Sequence, residues 1–320
     1  MADIATMTAH HDAFAKFVAI LGRGPGRSRA LGREEAREAF GMVLRQEPDP
    51  HQVGAFLMLL RFRGEDADEI TGMVEAARVS WMGSHVDLDW PSYGAGRTRG
   101  APWFLLSALA LARAGVKVLM HGSNEHSAGI SVESGLRALG LEPGIDRDGF
   151  TYLPLATLSP EMDALLRMRR LFGLRSPVNT VARLLNPGGA AAGVDGVFHP
   201  HYIAVHLGVA ERLSRQRLLV LKGGGGEAER VPLKPATGWL WDLGQGRMEI
   251  AFSARSGLQP FSPDSDTPEL LAAVWRGEVA PPTAVATITA TIGLGLLALG
   301  SVSTAEAAER EAERIWRDRI

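Results

Sequence analysis

Apolar residues recur every three or four positions through residues 14–21, 36–44 and 53–60, the spacing that lines one face of an α-helix. Start signals agree: Asp49 precedes Pro50, and Asp66 stands three residues before Glu69, a capping pair that predicts a helix over 70–81. Brief connections between these segments predict a small antiparallel helical bundle over residues 1–80, with the first ten residues frayed. The pattern then shifts to short apolar runs bounded by glycine. Residues 86–90 and 116–120 read as strands, each followed by a glycine-bearing loop and an apolar helix, over 102–113 and 130–139, the second closed by Gly140. Strand, loop and helix in alternation predict an α/β domain over residues 81–320 with a mainly parallel central sheet, whose ligands sit at the carboxyl ends of the strands. Residues 218–221 add a strand, 186–189 a turn and 304–317 a charged surface helix. Arginine-bearing helices are expected over 160–172 and 177–185, and helices from about 165–190 are expected to complete the N-terminal bundle. The fold expected is therefore two-domain, a small all-helical bundle and a larger α/β domain.

Composition narrows the class. The chain has 320 residues, 46% hydrophobic and 22% charged, the balance of a globular protein rather than a disordered or membrane one. The most apolar window, residues 285–299, is broken by Thr287, Thr289 and Thr291 and is shorter than the roughly 20 residues of a spanning helix, so a buried helix is expected there and no membrane partner. Cysteine is absent and no signal pattern opens the chain, so a cytoplasmic location is expected. The net charge is −2, but bases are unevenly placed: Lys16, Arg23, Arg27, Arg29 and Arg33 stand together without an acid between them.

Tyr93-Gly94-Ala95-Gly96 after a strand is a weak signal alone, because a tight strand-to-helix turn uses glycine for steric reasons. Several motifs in order say more. The phrase Pro50-His51-Gln52-Val53-Gly54-Ala55-Phe56-Leu57-Met58-Leu59-Leu60-Arg61, then Ala114-Gly115-Val116-Lys117-Val118 with His121-Gly122, then Arg175, Asn179, Asn186 and Pro187, resembles the anthranilate phosphoribosyltransferase family, which includes thymidine phosphorylase, over nearly the whole chain. The resemblance implies a phosphate and substrate pocket from Gly94, Gly96, His121, Gly122, Ser123 and Asn124, with Arg175 on an acceptor acid.

Against that family the motifs are worn. Its first loop reads Gly-Thr-Gly-Gly-Asp followed by Asn-X-Ser-Thr; here the acid falls on Gly96, and the later positions are Pro102, Trp103, Phe104 and Leu105, which have no hydroxyl or amide side chain for phosphate. Its Lys-His-Gly-Asn-Arg reads Met120-His121-Gly122-Ser123-Asn124, and its acceptor-side histidine falls on Ser159. The magnesium-binding Asp-Glu pair is reduced to Glu227, with Glu229 nearby, a poor site for an ion that wants octahedral oxygen ligation. No cofactor is expected, magnesium entering only if a transferase alternative holds. His199, His201 and His206 lack the i, i+4 spacing of a zinc pair and read as cap and surface residues; His121 and His126 form no nucleophilic triad.

What remains is basic. Arg97 and Arg99 on the first loop, with Arg167, Arg169, Arg170, Arg175 and Arg183 on the helices bordering the cleft in this family, suggest direct phosphate contacts in place of a metal diphosphate. Tyr93, Trp103 and Phe104 are candidates for base stacking, the last two also for the core. This pattern resembles the YbiB-like paralogues of the family, and that resemblance implies a homodimer that binds nucleic acid, DNA or RNA, by Arg97, Arg99, Arg167, Arg169, Arg170 and Arg175. The alternatives are an active phosphoribosyl- or glycosyltransferase with a pentose-phosphate donor, and a dimeric scaffold for a protein partner.

Overall fold

The computed structural model describes residues 4–79, 81–94, 100–123, 129–261 and 266–320, with residues 4–11 described by backbone alone. In order, the elements are α1 (Ile4–Gly22), α2 (Arg33–Leu44), α3 (Pro50–Arg63), α4 (Ala67–Ala76), β1 (Leu88–Ser92), α5 (Trp103–Arg113), β2 (Val118–Gly122), α6 (Val132–Ala138) and β3 (Phe150–Pro154). There follow α7 (Leu155–Leu158), α8 (Pro160–Arg167), α9 (Arg169–Phe172), α10 (Val178–Arg183), β4 (Ala192–Val197), α11 (His201–Arg212), β5 (Arg217–Lys222), β6 (Ala236–Asp242), β7 (Gly246–Phe252), α12 (Pro268–Trp275), α13 (Pro282–Leu299) and α14 (Ala305–Arg317). Two compact units result: Met1–Val79 with Ser159–Leu185, and Ser80–Leu158 with Asn186–Ile320.

In the helical unit α1 packs on α3 and α2 on α4. Phe14 meets Phe17 and Phe56 edge-on, with ring centroids 5.8 and 5.4 Å apart. Asp49 accepts the His51 N–H at the start of α3; Asp66 accepts those of Asp68 and Glu69 at the start of α4, and Glu69 returns a carboxylate oxygen to the Asp66 N–H. Three boundaries differ from expectation. α1 already begins at Ile4, within the segment expected to fray. α4 ends at Ala76 rather than residue 81, and Trp81 instead joins the α/β unit, donating its N–H to the Pro187 carbonyl at 2.8 Å. The helix expected over 160–172 breaks at Met168 into α8 and α9, the second closed by Gly173 at φ 68°.

The α/β unit is built on one sheet of order β3-β2-β1-β4-β5-β6-β7. Its first five strands pair in parallel and β6 and β7 are added antiparallel. β1 lies two residues further along than expected and contains Pro91. That proline is tolerated because β1 pairs with β2 throughout but with β4 only at Leu88 and Asp89, so no second neighbour needs the missing N–H. Past those two pairs the strands part, and the order reverses between them: the chain builds β2 and β3 to one side of β1, then β4 onward to the other. One face of the sheet carries Leu88, Trp90, Val118 and Met120 into a large core with α5, α13 and α14. α13 is the one described helix long and apolar enough to cross a membrane; 83% of it is buried inside this unit, against α5 and α14.

Candidate functional site

In a parallel sheet the crevice for a ligand opens at the carboxyl ends of the two strands between which the order reverses. Here those are β1, running into Tyr93 and Gly94, and β4, running into Phe198. The β1 end is held by backbone contact with its other neighbour: the Ser123 N–H donates to the Ser92 carbonyl at 3.2 Å, and a Cβ at Gly122 would stand 1.8 Å from that same oxygen. Gly122, the glycine of the second loop motif, is thus required by strand packing.

His121 is turned into the interior of the unit. Its side chain is fully buried, shares a 2.8 Å hydrogen bond with the Tyr93 hydroxyl through Nδ1, and brings Nε2 to 3.3 Å from the buried Asp89 carboxylate. Strand register places Asp89, His121 and Asp195 on one face of the sheet, opposite Leu88 and Trp90. Asp195 pairs with His206 of α11 at 2.7 Å, both buried. His206 is therefore an internal partner of the sheet rather than a surface residue. Tyr93, Trp103 and Phe104 are also buried, at 2, 1 and 1% exposure, so none of the three offers a face to a base. Trp103 stacks on Phe261 inside the core.

The gap between the ends of β1 and β4 is occupied by the chain itself. β5 leads into Gly223 and a tight turn, Gly224–Gly226, with Gly225 and Gly226 at φ 67° and 79°, and this delivers Glu227. A Cβ at Gly196 of β4 would lie 2.0 Å from the Glu227 backbone, and one at Gly223 would lie 1.6 Å from its carbonyl oxygen, so both glycines admit the turn. The buried Glu227 carboxylate accepts the N–H of Gly94, the first-loop glycine. Glu229, also buried, accepts the Phe104 N–H in the first turn of α5 at 3.0 Å, and Asp266 accepts the Ala101 N–H at 2.8 Å. A loop end and a helix N-terminus offer amide donors suited to an anion, and here the anions are side chains of the same chain. The sequence marks Glu229 only beside Glu227 in the reduced acid motif; its amide partner, and Asp266, escape a reading of short motifs because each acid lies more than a hundred residues from the amide it serves.

Other expected residues take structural posts. Ser159 caps α8, its hydroxyl accepting the Met162 N–H. Asn186, at φ 45°, clasps Ala190 by both backbone polar groups. Arg183 is 7% exposed and donates to the Asn179 carbonyl, so it is not a phosphate contact. Arg167 pairs with Asp163 at 2.7 Å with half its side chain in solvent. Arg169 and Arg175 are half-buried and Arg170 is exposed, all in the helical unit. Ser123 is half-buried beside the β2 end. Gly96, Arg97, Arg99, Asn124 and His126 lie outside the described residues.

Glu227 and Glu229 are each directed at a backbone N–H, and among the described residues no group of three or more histidine, aspartate or glutamate side chains is gathered to hold a metal.

Residues 17–80 match the family described as glycosyl transferase family, helical bundle domain. Anthranilate phosphoribosyltransferase of Anaeromyxobacter sp. (strain Fw109-5) is 32% identical over 260 residues, covering 70% of this chain and 75% of the relative. The Escherichia coli (strain K12) protein called uncharacterized protein YbiB is 28% identical over 207 residues, 59% of this chain and 64% of that one. The crystal structure of anthranilate phosphoribosyltransferase from Thermus thermophilus superposes with a TM-score of 0.77 at 26% identity, over 96% of this chain and 95% of that one. The chain spans 61% and 62% of the length of two other curated relatives that it matches.

Proposed function

The chain belongs to the anthranilate phosphoribosyltransferase family, and within it we propose a YbiB-like member, cytoplasmic and homodimeric, whose donor site is closed and which binds nucleic acid. The observation that carries this reading is the occupation of the donor-side amides by the protein's own acids. A phosphoribosyl donor would have to displace Glu227 from Gly94 and Glu229 from Phe104, leaving buried carboxylates beside its own phosphates; like charges at such distances repel strongly where water is excluded. Trp103, Phe104 and Leu105, buried in the core, bring no hydroxyl or carboxamide side chain to a phosphate. Affinity for nucleic acid then rests on Arg167, Arg169 and Arg170 of the helical unit and, by the resemblance, on Arg97 and Arg99 of the first loop, making contacts to phosphate with little base readout.

Calorimetry and titration test the proposal together. Phosphoribosyl pyrophosphate with magnesium is expected to give no binding heat, while labelled DNA is expected to bind and to weaken steadily as salt rises. Tight, magnesium-dependent binding of the donor would replace this reading by the transferase. DNA affinity indifferent to salt, or no DNA binding at low salt, would overturn it, and a dimer that binds neither ligand would leave the scaffold. A monomer by sedimentation would remove the homodimer.

A further inference from the structure

The five residues that follow β4, Phe198-His199-Pro200-His201-Tyr202, include four rings. They lie at the surface: Phe198 is 45% exposed, and His199 and His201 are exposed. The rings form a continuous ladder. Phe198 meets His199 edge-on with centroids 4.8 Å apart, His199 stacks on His201 at 5.8 Å and 20°, and His201 is tilted against Tyr202 at 4.2 Å. No third ligand is gathered among the described residues that would turn the two histidines into a metal site.

Position and charge give the ladder a direction. It begins one residue beyond Val197, which is in register with Lys222, the last residue of β5, and the Gly223 N–H donates to the Val197 carbonyl at 3.0 Å. Lys222 is exposed, and its ammonium makes no hydrogen bond or ion pair among the described residues. A cation unpaired among the described residues therefore stands at the strand end beside a run of rings at the surface. Both lie at the carboxyl edge of the sheet, where the order reverses and where Glu227 already fills the inner crevice.

We propose that Phe198, His199, His201 and Tyr202 with Lys222 form a stacking platform for the bases of a single-stranded nucleic acid. This rests on the nucleic-acid reading above and adds to it the strand form and the site. Every base has a π-face that stacks on aromatic rings whatever its identity, and a neighbouring ammonium neutralises the backbone phosphate. A duplex has its bases already stacked on one another, so the platform distinguishes single from double strands. The arginines of the helical unit are indifferent to strandedness.

The test uses the full chain, labelled oligo(dT), a duplex of the same length and free thymidine monophosphate, with the variants F198A/H199A and K222Q. The wild type is expected to prefer oligo(dT). F198A/H199A is expected to lose about fivefold or more of that affinity while duplex binding stays within about twofold, since one stacked base is worth at least a factor of about five. K222Q is expected to flatten the salt dependence for oligo(dT) by about 0.7 in log–log slope. Unchanged melting temperatures show that these surface changes leave the fold intact. Wild-type binding with unchanged oligo(dT) affinity in F198A/H199A overturns the platform alone, as does equal loss on both strand forms. A wild type that binds neither strand form overturns the nucleic-acid reading itself. Competition by the monophosphate as strong as by the oligonucleotide would make the ligand a free nucleotide and overturn the single strand.

Discussion

At Gly122 a methyl group would come within 1.8 Å of the Ser92 carbonyl oxygen, and backbone on backbone cannot yield as a flexible side chain can. A steric reason thus suffices for the glycine of the His-Gly motif: β1 and β2 approach too closely there for any other residue. Gly122→Ala is expected to destabilise the protein by about 2 kcal/mol or more, read as a lowered denaturant midpoint with an unchanged slope. The histidine beside it is equally structural, its ring fixed between the Tyr93 hydroxyl and Asp89. A motif retained in letters thus marks packing here, while the group that meets the first loop, Glu227, arrives from the far side of the chain.

The start of α2 shows how one carboxylate organises an element. Glu35, at the third helical position, accepts both terminal nitrogens of Arg29, at 2.6 and 2.7 Å, and reaches back to the Gly32 N–H at 2.8 Å. The Arg29 hydrogen bonds first, and the Gly32 amide second, hold its carboxyl at about 2, below its ordinary 4.5. A carboxyl depressed in the folded state adds stability above its ordinary value and loses it as pH falls through the folded one. Glu35→Gln is accordingly expected to melt below the wild type at neutral pH, and the gap in melting temperature is expected to close as pH is lowered from about 4.5 to about 2. Glu69, which closes the box at the start of α4, behaves oppositely: its burial in the unit, where it also accepts the Leu31 N–H, pushes its carboxyl up.

For the whole molecule, a near-neutral net charge coexists with cations gathered in particular places, and the balance between them sets how binding responds to salt. Arg169 and Arg170 stand in a short helix whose neighbour, Arg167, is already tied to Asp163. Replacing both by glutamine is expected to weaken binding to single- and double-stranded DNA alike and to reduce the salt slope by about 1.4–1.8, in contrast to the strand-selective loss expected in F198A/H199A. A titration of both strand forms over a salt series separates the two classes of contact.

Local signals carried much of the fold. Helical periodicity located α1 to α3, Asp49 and Asp66 the starts of α3 and α4, and the alternation of apolar runs with glycine turns the parallel sheet, because each depends on residues a few positions apart. β4, with Gly193, Asp195 and Gly196 in six residues, and the antiparallel pair β6 and β7 left no comparable pattern; their pairing is decided by neighbours in space. The departures from the family's first-loop motif stand in the sequence itself, from Pro102 to Leu105 and at Gly96. Which groups meet the amides of that loop and of the α5 start was not readable there. Glu227, Glu229 and Asp266 meet amides 133, 125 and 165 residues away, and only folding brings these acids onto those donors, since an unpaired amide or carboxylate inside the protein is costly.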